Sequence, residues 1–241
     1  MRKKLTILLV LAMLLLPFAG QVAEARYAGN ATTNWWWWWN PTPTPDPKPV
    51  DQDVHVSSNR PWDWYMDQGY TGQYSGNNCG PTSVAMVMKW LDRYSRETGK
   101  TVRDWYPNNG DWWSTNMITS YFRNHGVSYS SRRYYGTSTV TNAIDNGNIV
   151  LVCMTMEAVS RNYNPRYSNK GKFYSYDSGH FLIIKGYKKE GGTLYFEVYD
   201  PNNWGMTYSN GQPMGKDRLY LASEVSNGLY NWWDTVYIIY D

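Results

Sequence analysis

The sequence predicts an α+β domain in which N-terminal helices pack on an antiparallel sheet. Three observations carry that expectation. Helical apolar spacing is confined to residues 79–145, continuous apolar runs follow Gly147, and a glycine-containing turn joins two of those runs.

The first helix starts near Cys79. Val84, Val87, Met88 and Leu91 recur at i, i+3, i+4 and i+7 and form one apolar face, leaving Lys89, Asp92, Arg93 and Arg96 mainly to solvent. Pro81 is tolerated only in a first turn, so it marks the beginning. Thr98-Gly99 is expected to supply the stop. A second helix fits Thr115 to Asn124, with Ser114 as its cap and Gly126 past its end. Met117, Ile118, Tyr121 and Phe122 give its core face. A short third helix around Val140 to Asp145 ends at Gly147.

Ile149 to Met156 is an unbroken apolar run, read as a buried strand. Residues 157–178 are polar and predict a long loop. His180 to Tyr187 and Leu194 to Tyr199 are two strands joined by a turn, Lys188 to Thr193, that holds Gly191-Gly192. Thr235 to Tyr240 completes the set as a last strand.

The residues before this domain read differently. Arg2, Lys3 and Lys4 precede an apolar run from Leu5 to Phe18, followed by Ala23-Glu24-Ala25. A positive start, a short apolar stretch and a small-x-small site predict a secretory signal peptide, residues 1–25. A membrane anchor is the rival, but the run is short for a span and Pro17 interrupts its end. The expected destination is secreted or surface-associated. Residues 26–59 are expected to form a tail or linker. Trp35 to Trp39 are five consecutive tryptophans, and proline occupies every second position from Pro41 to Pro49. That alternation forbids a helix and favours an extended spacer. The tryptophans read either as a foot for cell envelope or carbohydrate, or as the product of trinucleotide slippage. The compact domain is expected at residues 60–241.

Charge narrows the partners. The chain has 23 Lys+Arg against 20 Asp+Glu. Without residues 1–25 the balance is 20 against 19, so no basic surplus supports a nucleic-acid partner. No other apolar stretch is long enough to span a membrane. Two cysteines exclude a four-cysteine zinc site, and three histidines leave little for a metal centre, so no cofactor is expected.

Nucleophilic chemistry fits the remaining polar residues. Cys79 stands in Asn77-Asn78-Cys79-Gly80-Pro81-Thr82-Ser83 at a helix start, where unpaired N–H groups and the helix dipole favour thiolate. Cys153, inside Val150-Leu151-Val152-Cys153-Met154, reads as a buried small hydrophobe. A Cys79–Cys153 disulfide is the alternative in an oxidising compartment. His180, at the head of an apolar strand, is the candidate base. His55 lies in the tail, and His125 is explained as a helix cap. Asp200, ending the next strand in Tyr199-Asp200-Pro201-Asn202, is the candidate orienter, although Asp-Pro-Asn is also ordinary turn chemistry. Gln73, six residues before Cys79, is the candidate oxyanion donor beside the Cys79 backbone N–H. Tyr70, Tyr74, Trp204 and the 157–178 loop are expected to line the cleft.

The stretch Gln73-Tyr74-Ser75-Gly76-Asn77-Asn78-Cys79-Gly80-Pro81-Thr82-Ser83, with Gly179-His180-Phe181 and Tyr199-Asp200-Pro201, resembles the bacteriocin-processing (double-glycine) peptidases and their secreted relatives. The resemblance covers roughly residues 60–240, about one domain. It implies a papain-like cysteine peptidase fold, with Cys79 as nucleophile, His180 as base, Asp200 as orienter and Gln73 in the oxyanion hole. The processing peptidases proper are cytoplasmic domains of membrane exporters, whereas this sequence carries its own export signal and no phosphate-binding loop. The expected activity is therefore a secreted cysteine peptidase acting on peptide or protein substrates through a thioester. The alternatives are a cell-wall peptide amidase or endopeptidase, and a non-catalytic adhesion module on the same fold.

Overall fold

Ile149 to Thr155 has no polar face because the sheet it belongs to is covered on both sides. The computed structural model describes residues 52–241. Among them, seven strands form one antiparallel sheet: β1 (Val54–Ser57), β2 (Tyr129–Arg133), β3 (Ile149–Thr155), β4 (Gly179–Glu190), β5 (Thr193–Tyr199), β6 (Arg218–Leu221) and β7 (Thr235–Ile239). The order is β2-β7-β3-β4-β5-β6, with β1 added to β4. Five helices accompany them: α1 (Cys79–Leu91), α2 (Gly99–Trp105), α3 (Thr115–Asn124), α4 (Thr137–Asp145) and α5 (Ala222–Tyr230).

Side chains alternate across a strand, so one strand can feed two cores. Ile149, Leu151 and Cys153 join a core that includes Val84, Val87 and Trp90 of α1 and Ile118 and Phe122 of α3. Val150, Val152 and Met154 join the opposite core, with Val140 and Ile144 of α4 and Val225 and Leu229 of α5. β4 and β7 alternate in the same way. A strand buried on both faces reads as an unbroken apolar run.

α1 is more deeply set than its apolar stripe implies. Every residue from Cys79 to Val87 is buried, as is Trp90. It ends at Leu91, where Asp92 turns extended. Thr98-Gly99 does not stop this helix but starts the next. The Thr98 hydroxyl accepts from the Thr101 N–H, and the Thr101 hydroxyl accepts from the Thr98 N–H, a reciprocal cap for α2. The Ser114 cap and the Thr115–Asn124 bounds hold as expected. The third predicted helix begins earlier, at Thr137.

The signal segment, the Trp35–Trp39 run and the proline spacer lie outside the described residues. The expected tail boundary at residue 59 is too late. The chain divides between Lys48 and Pro49, and Val54–Ser57 pairs with β4, Val56 opposite Tyr187. Ser58 continues the attachment: its N–H donates to the Lys185 carbonyl at 2.8 Å, and its own carbonyl accepts the Trp90 indole N–H at 2.7 Å. Among the described residues no helix is long and apolar enough to cross a membrane.

These contacts predict where truncation becomes harmful. A chain starting at Gln52 should melt at the same temperature as one starting at Arg26. One starting at Asn59 loses β1 and leaves the Trp90 indole unpaired, and should be destabilised by about 2–4 kcal/mol. Thermal denaturation of the three chains checks this.

Candidate active site

The register of two strands brings the first pair of polar residues together. Ile183 faces Tyr199 and Ile184 faces Val198. Continuing that register sets Asp200 across from Leu182 and diagonal to His180 on the same face, within side-chain reach. The His180 Nε2–H donates to Asp200 Oδ1 at 2.8 Å. The imidazole and the Cys79 thiol line one cavity, and Cys79 is among the groups that raise the imidazole. Cys79 and His180 are each 2% exposed and Asp200 is fully buried.

A buried carboxylate needs all its acceptor sites filled. Asp200 Oδ1 accepts a second bond from the Asn202 N–H at 2.9 Å. Its Oδ2 accepts from the Tyr174 and Tyr220 hydroxyls at 2.7 and 2.5 Å. Burial works hardest against ionisation of Asp200. The charge of His180 and the four hydrogen bonds outweigh it, so the carboxyl lies below its ordinary value. Burial likewise opposes the His180 imidazolium. Asp200, by charge and hydrogen bond, and then Cys79 overcome it and raise the imidazole to about 10. Burial first, then the Asp200 charge, push the Tyr174 and Tyr220 phenols well up, so both remain O–H donors.

The cysteine side of the site is built around a buried cation. Arg103 of α2 is 2% exposed. Its Nε donates to Asn78 Oδ1 at 2.7 Å, its Nη2 to the Asn77 carbonyl at 2.8 Å and its Nη1 to the Asp111 carbonyl at 2.8 Å. Asn78 precedes Cys79 but does not cap α1 with its side chain. Its amide instead donates to Thr71 Oγ1 at 2.8 Å, and the Thr71 hydroxyl donates to the Gln68 carbonyl at 2.6 Å.

That chain of bonds ends on a glutamine that shares a cavity with the thiol. Gln68 lines a cavity of about 380 Å³ with Cys79, His180, Tyr174, Tyr176 and Trp204. It is buried, and its Nε2 donates to the Ser75 carbonyl at 3.0 Å. Its backbone N–H donates to the Pro201 carbonyl at 2.8 Å, next to Asp200. Gln73, the expected oxyanion donor, is exposed and does not line this cavity. Residues 75–77 coil into a 3₁₀ turn and carry the thiol inward while Gln73 stays outside. The six-residue spacing selected an amide that the fold keeps outside the cavity, while Gln68 lines it. Asp67-Gln68-Gly69, eleven residues before Cys79, offered no spacing signal of its own.

Of the expected lining residues, Trp204 is present and Tyr70 and Tyr74 are not. The 157–178 loop contributes Tyr174 and Tyr176. Trp204 has a φ of +51°, uncommon for a side chain of that size. Asp67 holds it there, accepting from the Trp204 and Gly205 N–H groups at 2.9 and 2.8 Å. The Trp204 indole donates to Asn202 Oδ1 at 2.7 Å. His55 pairs with Glu197 at 3.1 Å on β5, and His125 closes α3 with Nδ1 2.9 Å from the Tyr121 carbonyl. Neither histidine lines the cavity. Both cysteines are free thiols, and burial, then the neighbouring Cys79, raises Cys153 to about 12.

A helix start that presents a cysteine to a histidine, itself held by a strand-borne carboxylate, defines a cysteine-type peptidase on a papain-like α+β fold. The chain belongs to the Peptidase_C39 like family, whose model matches residues 65–218. A C39-like peptidase from Bacillus anthracis has a similar structure, with a TM-score of 0.52 and 11% identity over 78% of this chain and 98% of that one. Procathepsin L 3 of the Tenebrio molitor larval midgut gives a TM-score of 0.43 at 16% identity, over 73% of this chain and 70% of that one. No curated protein matches the chain.

The charge pairing predicts an unusual titration. His180 is raised, so its contribution to stability is fully present below about 6.5, the ordinary imidazole value, and fades as pH rises towards 10. Asp200 is lowered, so its contribution is present above the ordinary carboxylate value and is lost in acid. In Asp200→Asn the opposing burial remains while the charge is gone, so the His180 midpoint should fall by several units. Ring-nitrogen NMR of the two proteins, with His180→Gln to assign the signal, measures both midpoints. A wild-type midpoint near 6.5 would remove the ion pair.

Proposed function

We propose that the protein hydrolyses peptide bonds through a Cys79–His180–Asp200 triad and a thioester acyl-enzyme. The observation that carries this reading is that His180, bonded to the Asp200 carboxylate through Nε2, lines the same cavity as the Cys79 thiol. The His180 ring nitrogen facing the sulfur takes the Cys79 proton, the sulfur attacks the carbonyl carbon, and the C–O π pair moves to oxygen. Collapse of that intermediate expels the amine, which takes the proton from the His180 ring nitrogen facing the sulfur. The now neutral imidazole accepts a proton from water as it attacks the thioester. The carboxylic acid leaves and Cys79 is restored. Asp200 stays ionised throughout and keeps the imidazole in one orientation.

The developing oxyanion needs donors at the thiol. Gln68 takes this role in place of Gln73, together with the Cys79 backbone N–H. One Gln68 amide hydrogen is spent on Ser75, which fixes the carboxamide plane, and the same nitrogen has a second hydrogen for the oxyanion. The amino-terminal residues are read as an export signal, which makes the site extracellular, and Trp35–Trp39 as an envelope-binding foot. Their support is the sequence pattern alone.

The expected kinetics separate these roles. Cys79→Ala should abolish hydrolysis by several orders of magnitude with the fold intact. Gln68→Ala should lower kcat by about ten- to a thousandfold, with a smaller change in KM. Gln73→Ala should leave both unchanged. Steady-state rates on one peptide, with circular dichroism of each variant, check the set. Equal losses in Gln68→Ala and Gln73→Ala would overturn the assignment of the donor.

A further inference from the structure

The side of the sheet that carries α4 holds a groove of its own. It is bounded by Arg132 and Arg133 of β2, Tyr135 after that strand, Asn142 on α4, and Asn146 and Asn148 just after the helix. Its volume is about 720 Å³, against about 380 Å³ for the catalytic cavity, and the two share no lining residue. α4 belongs to one core and α1 to the other, so the groove lies across the sheet from Cys79.

Its chemistry is polar and of one sign. Two guanidiniums line it and no carboxylate does. Arg133 is held from outside the groove, its Nε donating to Asp234 Oδ2 at 2.8 Å. Arg132 has no acidic partner among the described residues, and its Nε donates only to the Ser130 hydroxyl, at 3.3 Å. Asn146 spends its amide on the Asn142 carbonyl at 2.6 Å, while the carboxamides of Asn142 and Asn148 bond to none of the described residues. The aromatic rim is set by the backbone. Tyr134 turns inward, with its hydroxyl 2.6 Å from that of Ser226, so Tyr135 turns outward and is 77% exposed. Gly136, at a φ of +108°, then turns the chain into α4, and the Tyr135 N–H donates to Thr139 Oγ1 at 3.0 Å.

We infer that this groove binds an acidic oligosaccharide, with a carboxylate on the arginines, hydroxyls on the asparagines and a sugar ring against Tyr135. A guanidinium meets a carboxylate with two parallel N–H donors. A carboxamide carries both donors and an acceptor, which suits sugar hydroxyls that each donate and accept. A tyrosine ring covers the C–H face of a pyranose while its hydroxyl stays in water. Other occupants fit less well. Ala143 and Ile238 are the aliphatic residues of the lining, too little to seat an apolar peptide side chain. One of the two arginines is already paired, so the groove lacks the run of cations that a nucleic-acid backbone needs. The bound sugar is a tether and not a substrate, because it lies across the sheet from the thiol.

Titration calorimetry on the full chain tests this, with hexagalacturonate and a hyaluronan hexasaccharide as probes. Two controls separate the parts of the ligand. The carboxyl methyl ester of each probe keeps the sugar and loses the charge, and hexaglutamate keeps the charge and loses the sugar. At least one acidic probe should bind at least about tenfold more tightly than its ester and than hexaglutamate, since charged hydrogen bonds and sugar contacts both contribute. Arg132→Gln and Asn142→Ala should each weaken that binding at least about fivefold, the loss of one hydrogen bond to the ligand. Both side chains are exposed, so the thermal melt should be that of the wild type, and peptide turnover should be unchanged. No binding of either acidic probe, or equal binding of hexaglutamate, overturns the sugar site. Binding that survives both substitutions also overturns it and moves the contact to Trp35–Trp39.

Discussion

The site is organised by one carboxylate that has no access to water. An ionised Asp200 in a dry interior would cost several kcal/mol if its oxygens were unpaired. Its four hydrogen-bond donors come from four different places: His180 on β4, Asn202 after β5, Tyr174 in the 157–178 segment and Tyr220 on β6. Satisfying this one group therefore fixes elements far apart in sequence. It explains why a polar stretch expected to be a plain loop carries buried Phe173 and Tyr174. Arg218, itself fully buried, holds that stretch from the other side by donating to the Ser168 carbonyl at 3.0 Å and the Gly171 carbonyl at 3.1 Å.

A second buried charge, Arg103, governs the other half. Its guanidinium spends its donors on the carbonyls and the amide that surround the start of α1, so the thiol is presented by a loop with little freedom. The two halves meet in a few specific bonds. The Tyr65 hydroxyl donates to the Asp200 carbonyl at 2.8 Å, the Gln68 N–H to the Pro201 carbonyl, and Asp67 accepts from the Trp204 and Gly205 N–H groups. Residues 65–68 thus form the seam between the Cys79 half and the Asp200 half. An amide at position 68 sits on that seam, whereas Gln73 lies outside the turn that delivers Cys79.

Local signals were legible where one element explains itself. The Ser114 cap, the i, i+4 face of α3, the unbroken run of β3 and the Gly191-Gly192 turn each follow from residues adjacent in sequence. The grouping of Cys79, His180 and Asp200 was legible because a thiol at a helix start, an imidazole on a strand and a carboxylate after the next strand each have a chemical type and a place on an element. What escaped depends on distant partners. β1 is a four-residue addition to β4, and the contacts of Ser58 just after it are with Lys185 and Trp90. β2, with its Ser-Ser-Arg-Arg, is polar because it lies at the sheet edge. α5 contains serine, asparagine and glycine, and its apolar face shows only once β3 lies beneath it. Gln68 escaped for the same reason: its position is set by Ser75, Thr71 and Pro201, not by its distance from Cys79.

The two cysteines show how strongly setting decides chemistry. Cys79 stands at a helix start against a histidine that favours the imidazolium. Cys153 sits in a strand buried on both faces, and burial holds its proton up to about 12. Thiol–disulfide exchange and oxidation both run through thiolate. A thiol kept neutral at every ordinary pH is slow in either role, even with a reactive neighbour close enough to influence its charge. Burial in the apolar strand thus slows Cys153 in both roles, while Cys79 stands at a helix start on the cavity that His180 also lines.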